Sequence, residues 1–430
     1  MVKRLGRLLL CALLFVFCLA GYSPAAEVPK ISIELSSGSN TAAVSVVEGK
    51  YLILSGSGFV PVAVVDEGQK CVLTKEGLNL KMSGIASPAK GLLGPVYFQP
   101  LGDKGTFVLG FNNTNYRGRI TVHNTDHQGL VAVNTLPVEE YLYGVVGQEM
   151  GYGAPLEALK AQALVSRSYA LGKKGTGLYA DLKKNSQAYR GYNAELVAGF
   201  ENVKEAVDST AGEVICYQDK IIDAVFHSNS GGFTESSENV WQQPVPYLRA
   251  VPSPWDEYAL RYSYQDANGW PGNSYEWSVD VTRDQLKKFI ADWNAARPND
   301  VINIGEVKNI ILSRTDSVSG KNTVSGRVTA LTLVGSTGKK TISKDNIRSF
   351  FRPNGQILKS TLFDITLNKG AVGESGSKGL FDSITINGRG NGHGLGLSQW
   401  GARGMAAEQE AGYYEIVKHY YSDVEIEKLY

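Results

Sequence analysis

Residues 119–172 constrain the fold most, because their hydrophobic pattern changes from strand to helix within one continuous stretch. The segment "RITVHNTDHQGLVAVNTL" alternates apolar and polar residues on both sides of residues 126–129, which predicts two strands joined by a turn. Pro137 then begins a predicted helix with Glu139 and Glu140 in its first turn, where the helix dipole favours negative charge. We therefore expect a hairpin that leads directly into a helix.

A second helix is predicted after the first. Pro155 lies near its start, Glu157 lies in its first turn, and Gly172 follows its end. Its faces carry small side chains: Ala158, Ala161, Ala163 and Ala170. Because these side chains are short, the helix can pack closely against its neighbours.

The rest of the chain also mixes strands and helices, without a regular βαβ alternation. "VKNIILSR" and "RVTALTLVG" read as strands separated by the turn-rich "TDSVSGKNTVSG". Thr282 and Gln285 form a capping-box pattern at the start of a helix. An apolar stripe at helical spacing follows: Leu286, Phe289, Ile290 and Trp293. The combination favours an α+β fold of mixed sheets with several helices, preceded by a small, mostly β N-terminal module.

Residues 1–26 have the pattern of an export signal. A basic start precedes an apolar run from Leu8 to Ala20, and small residues stand at Ala25 and Ala26. The run is shorter than the ~20 apolar residues that span a bilayer. We therefore expect an exported, extracytoplasmic protein that loses its signal by cleavage rather than keeping it as an anchor.

The chain of 430 residues is long enough for two or three domains. Residues 27–95 are rich in Val, Ile, Ser and Gly with frequent turns, which indicates the β-rich module. Residues 96–430 are expected to form the main domain, with residues 257–365 as an inserted α+β part.

The charge balance and the cysteine count argue against two classes of protein, namely nucleic-acid-binding proteins and zinc fingers. Lys and Arg number 43 against 42 for Asp and Glu, so the chain lacks the basic surplus of a protein that binds nucleic acid. A neutral or weakly charged partner fits better. After the signal, Cys71 and Cys216 remain. We expect two buried thiols, although a bridge is allowed outside the cell, and the spacing is not that of a zinc finger.

Glu149 extends an apolar stripe. It follows Val138, Leu142 and Val145 at helical spacing. A carboxyl group desolvated by such neighbours has a raised pKa and becomes a usable acid near neutral pH. The alternative is an ordinary helix-end carboxylate that caps a neighbour or pairs with Arg167.

The segment "NGRGNGHGLGLSQWGARG" has glycines at a period of two. If residues 388–397 are extended, one face is bare backbone and the other carries Arg389, Asn391 and His393. These residues, together with Ser398, Gln399 and Trp400, suit hydrogen bonding and stacking against a neutral polar ligand such as a sugar. The alternatives are a flexible glycine loop and a phosphate cradle, and no G-x-G-x-x-G frame supports the latter.

A third polar cluster lies in "DAVFHSNSGGFTESSENVW". His227, Ser228, Asn229 and Ser230 lie where an apolar strand opens into a loop, a common place for site residues. A Ser/His hydrolase is poorly supported, because no G-x-S-x-G frame occurs. A metal site would need ligands from elsewhere, such as His393, Asp223 and Glu235.

Together, "LPVEEYLYGVVGQEM", "PLEALKAQALVSRSYAL", "AVFHSNSGGFTE", "GRGNGHGLGLSQWGARGMA" and "YYEIVKHYY" resemble the stage II sporulation protein D (SpoIID/LytB) family from about residue 97 to residue 421. The resemblance implies a lytic transglycosylase that cleaves peptidoglycan glycan strands during engulfment. It also implies that Glu149, the glutamate of the "EM" motif, is the catalytic acid and base. The resemblance further implies that Arg167 is a partner of Glu149 or a substrate contact. Together with the polar clusters above, the predicted substrate-binding residues are Arg167, His227, Ser228, Ser230, Arg389, Asn391, His393, Gln399 and Trp400.

The sequence departs from the family in two places. Gly151, Tyr152 and Gly153 separate the "EM" pair from Pro155, whereas family members commonly have a proline sooner. The cysteines that hold zinc in some members are replaced by Ser, Phe and Thr around the "HSNSGG" motif. We therefore expect no metal or other cofactor.

Two other functions remain open. The LytB branch implies a non-catalytic, wall-binding enhancer of an amidase, and His227 with His393 would be the basis of a zinc amidase or esterase. A hydrolase normally needs two carboxylates, and the nearest partners for Glu149 by motif position are Asp223 and Asp256. The family also implies a cell-wall amidase and septal membrane proteins as partners.

Overall fold

The computed structural model describes residues 27–86, 89–102, 105–241, 243–262, 275–369 and 381–430. The predicted export signal at residues 1–26 lies outside these residues. Among the described residues, no helix combines the length and the apolar character needed to cross a bilayer.

Two antiparallel-rich sheets form the first part of the protein. Their strands are β1 (Lys30–Ser39), β2 (Thr41–Glu48), β3 (Tyr51–Ser55), β4 (Val60–Val65), β5 (Lys70–Glu76), β6 (Asn79–Ser83), β7 (Ala89–Leu93), β8 (Val96–Pro100), β9 (Val108–Phe111), β10 (Thr114–Arg117), β11 (Arg119–Asn124), β12 (Leu130–Pro137) and β13 (Leu182–Lys183). The seven-stranded sheet has the order β13-β1-β12-β11-β8-β3-β4, and the six-stranded sheet has the order β10-β9-β2-β5-β6-β7. The predicted hairpin is confirmed as β11 and β12.

The alternation of apolar residues explains these strands. In β1, Ile31 and Ile33 are fully buried while their neighbours are partly exposed, because successive side chains point to opposite faces. Strands on both sides of Pro95 pair with each other, since β3 pairs with β8 and β1 pairs with β12. The predicted division at residue 95 therefore does not coincide with a gap between sheets, and the domain limits stay a prediction.

Helices and short strands follow the sheets. The helices are α1 (Val138–Tyr143), α2 (Val146–Met150), α3 (Leu156–Gly172), α4 (Phe200–Ser209) and α5 (Ser237–Val240), with 3-10 turns at Gly191–Leu196 and Pro254–Arg261. The strands are β14 (Glu213–Tyr217), β15 (Lys220–Ile221) and β16 (Phe226–His227). The predicted small residues of α3 are fully buried, so this helix forms the centre of the main core.

A separate hydrophobic core lies between residues 277 and 386. It is built from β17 (Glu276–Thr282), α6 (Arg283–Ala296), β18 (Val307–Ser313), β19 (Ala330–Gly335), β20 (Lys339–Ser343), α7 (Asn346–Phe350), β21 (Phe363–Asn368) and β22 (Ser383–Arg389), with a 3-10 turn at Pro353–Gly355. We call residues 275–389 the inserted unit. The predicted capping box of Thr282 and Gln285 is confirmed at the start of α6.

The chain returns to the main core with β23 (Leu397–Ser398), α8 (Gln399–Glu408), α9 (Tyr413–Tyr420) and β24 (Glu425–Lys428). β23 pairs in parallel with β16, which places the glycine-rich segment beside the His227 loop. The predicted α+β class is confirmed. Cys71 and Cys216 are buried free thiols, as expected.

Candidate functional site

A break between two helices shapes the site. The sequence predicted one helical stripe from Val138 to Glu149, and this is wrong at Gly144, where α1 has ended and α2 has not begun. The carbonyl of Gly144 accepts a hydrogen bond from the backbone N–H of Arg190 at 3.0 Å. A Cβ at Gly144 would lie 2.6 Å from the ring of Tyr189, so only glycine admits this approach. The break therefore brings the loop at residues 187–190 against α2.

This loop binds the carboxylate of Glu149. Oε1 accepts the backbone N–H of Ala188 at 2.6 Å, and Oε2 accepts the side-chain amide of Gln399 at 3.2 Å. Burial raises the pKa of the Glu149 carboxyl above its usual range, and the two hydrogen bonds offset part of the rise. Glu149 is thus held in one position and kept closer to protonation than an exposed glutamate.

A buried amide holds Gln399 in turn. Gln399 also donates to Oε1 of Gln162 at 3.4 Å, and Gln162 donates to Ser166 at 2.9 Å. Gln162 and Ser166 are fully buried on α3. The sequence analysis did not identify Gln162 as a site residue. The pattern that indicates it is a glutamine among the small residues of α3.

Glu149 lines an open cavity of about 1000 Å³, which we call the Glu149 cleft. Its walls are residues 34–37 of β1, Gln148 and Glu149 of α2, Tyr169 of α3, the loop at 183–190, and Val225, Phe226, Trp241 and His393. The acidic side chains among these residues are Glu34 and Glu149. The N-terminal β region therefore supplies one wall of the cleft, which the sequence did not indicate.

Two histidines form what we call the histidine wall: His393 lines the cleft, and His227 packs against His393 without lining the cleft. The ring of His393 lies 5.5 Å from that of His227 and 5.9 Å from that of Trp241. Nδ1 of His227 lies 3.0 Å from the carbonyl of Leu395, and Nδ1 of His393 accepts the N–H of Leu395 at 2.9 Å. The backbone of one residue thus fixes both rings: Nδ1 carries the proton in His227 and lacks it in His393.

Both imidazoles are neutral at physiological pH. Burial lowers the pKa of His393 to about 4 and lowers the pKa of His227 well below its usual value. Neighbouring Arg327 and Arg348 lower both pKa values further. These histidines are therefore neutral polar groups of the wall, not cations.

The glycine-rich segment is not extended beyond Arg389, which corrects the prediction of a strand with one bare face. Gly390, Gly392, Gly394 and Gly396 all have positive φ. A Cβ at Gly392 would lie 2.5 Å from Cβ of His227, and one at Gly394 would lie 2.6 Å from Cζ of Arg327. The glycines recur at every second position because each of these positions has a left-handed backbone conformation. Other residues of the protein pack against the backbone of these glycines.

We expect Gly394→Ala to destabilise the protein. Ala at φ +85 is strained, and its Cβ would overlap the guanidinium of Arg327, which is 1% exposed and has no room to move. The strain costs more than about 1 kcal/mol and overpacking adds about 1–3 kcal/mol. Denaturant unfolding measures the loss. Gly68→Ala is the matched control, because its φ of +81 is similar but nothing lies within 4 Å. Equal losses of stability in Gly394→Ala and Gly68→Ala would contradict the claim that the packing of Arg327 against Gly394 excludes a Cβ.

Several predicted residues support the wall through their backbone or by burial. Asn391 and Asn229 exchange backbone hydrogen bonds at 2.7 and 3.0 Å. The carbonyl of Ser228 accepts the N–H of Trp400 at 3.0 Å. Ser230 is fully buried, its N–H donates to Ser398, and its carbonyl accepts Nη2 of Arg327 at 2.7 Å.

Three predicted residues do not line the cleft with Glu149. The ring of Trp400 lies 4.1 Å from the guanidinium of Arg403. Arg389 is exposed and lines a different cavity. Arg167 is fully buried and binds Glu139 with Nε at 2.9 Å and Nη2 at 2.7 Å. The predicted pairing of Arg167 with Glu149 is therefore wrong, and its burial argues against contact with substrate.

The other acidic candidates also have structural partners. Asp223 pairs with Lys173 at 2.8 Å. Asp256 is fully buried, accepts hydrogen bonds from Ser398 and Gly232, and has a pKa raised by burial. Neither lines the Glu149 cleft, whereas Glu34 does.

Glu235 joins the wall to the inserted unit. Its Oε2 accepts the hydroxyl of Ser325 at 2.5 Å, and its Oε1 accepts Nδ2 of Asn239 at 3.1 Å. Within the described part of the chain, no three His, Cys, Asp or Glu side chains gather as a metal site would require. The proposed ligand set of His227, His393, Asp223 and Glu235 is therefore not brought together.

Comparison with known proteins adds to this geometry. The sequence profile of the stage II sporulation protein (SpoIID) family matches residues 126–217. That of a domain of unknown function (DUF8618) matches residues 235–396, which include the inserted unit. The chain is 29% identical over 310 residues to stage II sporulation protein D of Bacillus amyloliquefaciens, covering 69% of this chain and 75% of the relative.

The chain belongs to the stage II sporulation protein D family. It is 31% identical over 300 residues to an uncharacterised protein of Brachyspira hyodysenteriae, covering 69% of this chain and 68% of that protein. It is also 32% identical over 304 residues to an amidase enhancer of Bacillus subtilis, covering 65% of this chain but 39% of the enhancer. The region that the SpoIID profile matches contains Glu149.

Proposed function

We propose that this SpoIID-family protein is a lytic transglycosylase that cleaves the bond between N-acetylmuramic acid and N-acetylglucosamine in peptidoglycan during sporulation. The observation that carries the proposal is the carboxyl of Glu149, which combines a raised pKa with fixed hydrogen bonds at the edge of a large cleft. A group of this kind is a candidate general acid and base.

The proposed reaction uses Glu149 twice. Protonated Glu149 gives its proton to the bridging oxygen as the bond from that oxygen to C1 of muramic acid breaks. The C6 hydroxyl oxygen of the same sugar then bonds to C1, and its proton passes to the Glu149 carboxylate. The product has a 1,6-anhydro end, and the enzyme returns to its starting state.

This chemistry needs one carboxylate, because the nucleophile is part of the substrate. Proximity therefore supplies much of the rate. The N–H of Ala188 and the amide of Gln399 hold the carboxylate oxygens. These two hydrogen bonds stabilise the Glu149 anion that forms after proton transfer. They therefore limit the rise in the pKa of the carboxyl, so that it can still donate its proton.

Digestion of purified glycan strands without stem peptides tests the proposal. We expect soluble fragments with anhydro-muramic ends in mass spectrometry. The rival function is a non-catalytic enhancer, which the similarity to an amidase enhancer favours. Binding to strands without products, together with faster release of stem peptides when an amidase is added, would support that rival.

The pH profile of kcat/KM should fall on the alkaline side. The proton on Glu149 is required, and it is lost as the pH rises through the raised pKa. His393, with a pKa of about 4, should contribute no step near its usual value of 6.5. A step in kcat/KM near pH 6.5 that disappears in His393→Gln would contradict the claim that His393 is neutral at physiological pH.

We also propose that the reaction uses no metal. Each of the two histidines already uses Nδ1 on Leu395, and the ring of His393 also forms a hydrogen bond with the backbone of Phe226. This leaves Nε2 of His227 without a partner, whereas protein zinc sites take three or four protein ligands. Elemental analysis should find less than stoichiometric zinc in the purified protein, and a chelator should not reduce product formation. Stoichiometric zinc would favour an amidase or esterase.

A further inference from the structure

A second cavity of about 770 Å³ lies in the inserted unit. It is formed by β17, β21 and β22 with Arg314 and the turn at Ser325 and Gly326. Its lining shares no residue with the Glu149 cleft. Arg389, which the sequence assigned to a sugar site, lines this cavity.

The strand register arranges polar groups across the cavity. Ser278 pairs with Asn387, and Asn387 pairs with Asp364, so the three form one row across three strands. All three are exposed. Glu276 pairs with Arg389 and forms the next row on the same face. Side chains on the other face, such as Trp277, belong to the core.

The chemistry of these rows fits a neutral ligand rich in hydroxyl and amide groups. Asn387 offers a donor and an acceptor, Asp364 accepts, and Ser278 does both. Two arginines, Arg314 and Arg389, balance the two acidic residues of the lining, and Arg314 is paired with Asp364 at 2.6 Å. With no surplus charge, the cavity favours a saccharide over an anionic or cationic ligand.

The second cavity is close to the Glu149 cleft along the chain. Arg389 lines the former and His393 the latter, so three residues lie between them and their Cα atoms lie no more than about 14 Å apart. Buried hydrogen bonds also join the inserted unit to the segment that follows His227, from Ser325 to Glu235 and from Arg327 to Ser230. One polymer can therefore reach both.

We propose that this cavity is a second saccharide-binding site, which holds a distant part of the glycan strand whose scissile bond lies at Glu149. The proposal rests on the proposed function for its ligand, N-acetylated glycan. It gives the inserted unit a role in substrate binding that is separate from its support of the histidine wall.

Binding of peptide-free glycan strands to the full chain tests this site. In a Glu149→Gln background, which prevents turnover, Ser278→Ala with Asn387→Ala should weaken binding of long strands roughly tenfold through two lost hydrogen bonds. The midpoint of urea unfolding should stay nearly unchanged in the double variant, because both side chains are exposed. Thr366→Ala is the matched control, because Thr366 is exposed on β21 but does not line the cavity.

Unchanged binding of long strands in the double variant would overturn the second site. A lowered unfolding midpoint in the double variant, or an equal loss of binding in Thr366→Ala, would also overturn it, because either would indicate a general disturbance of the protein. Neither result depends on cleavage. Absence of anhydro products from the unaltered protein would instead reject the proposed function.

Discussion

Glu149→Gln should reduce formation of anhydro ends by roughly 100- to 10,000-fold, the contribution of a general acid and base. Glutamine keeps the shape of the side chain and still accepts the N–H of Ala188, but it cannot deliver a proton. The variant should be at least as stable as the unaltered protein at neutral pH. The raised pKa means that ionised Glu149 lowers stability as pH rises through that pKa, and glutamine removes this penalty.

Glu34→Gln is the matched control for this prediction. Glu34 lines the same cleft and is also a glutamate, but the mechanism gives it no proton to transfer. We expect activity within a few-fold of the unaltered protein. Loss of activity in both variants would indicate a hydrolase with two carboxylates.

Arg167→Met should destabilise the protein by about 3–5 kcal/mol, because it leaves the largely buried carboxylate of Glu139 without its ion-pair partner. Arg167 joins α3 to α1, and it also donates to the carbonyl of Glu213 at 3.1 Å. The midpoint of urea unfolding measures the effect. Arg167→Met with Glu139→Leu should recover part of the loss, since no charge is then left unpaired.

The matched control for Arg167 is Arg261→Met. Arg261 pairs with Glu408 on the surface and its side chain is 64% exposed, so the loss should be about 0–1 kcal/mol. If Arg167→Met weakened glycan binding without a loss of stability, the result would support the contact between Arg167 and substrate that the family resemblance implied.

The sequence predicted the elements that depend on local pattern. The β11–β12 hairpin, the capping box at Thr282 and the small-residue helix α3 follow from periodicity, caps and turns over a few residues. The choice of Glu149 came from the same local stripe and from the family motif, and the structure places it in a cleft.

The parts that were missed depend on residues far apart in the chain. Gly144 interrupts the helix because Tyr189 and Arg190 dock on it. The glycine segment turns instead of extending because His227 and Arg327 pack against it. Neither a period of two nor a helical stripe contains that information, since both describe local geometry only.

Glu34 and Arg327 illustrate the same limit. Glu34 reaches the cleft because β1 pairs with β12 and with β13, which leads into the loop that holds Glu149. Arg327 supports Ser230 from within the inserted unit. Pairings over such distances are set by the tertiary fold, so no motif around either residue signals its place.

The central claim is that the substrate supplies its own nucleophile while Glu149 alone moves the proton. Digestion of peptide-free glycan strands in ¹⁸O-labelled water, with mass spectrometry of the new ends, tests it most directly. We predict 1,6-anhydro ends that contain no ¹⁸O from the solvent. Reducing ends that carry one ¹⁸O atom would show that water is the nucleophile and would contradict the account.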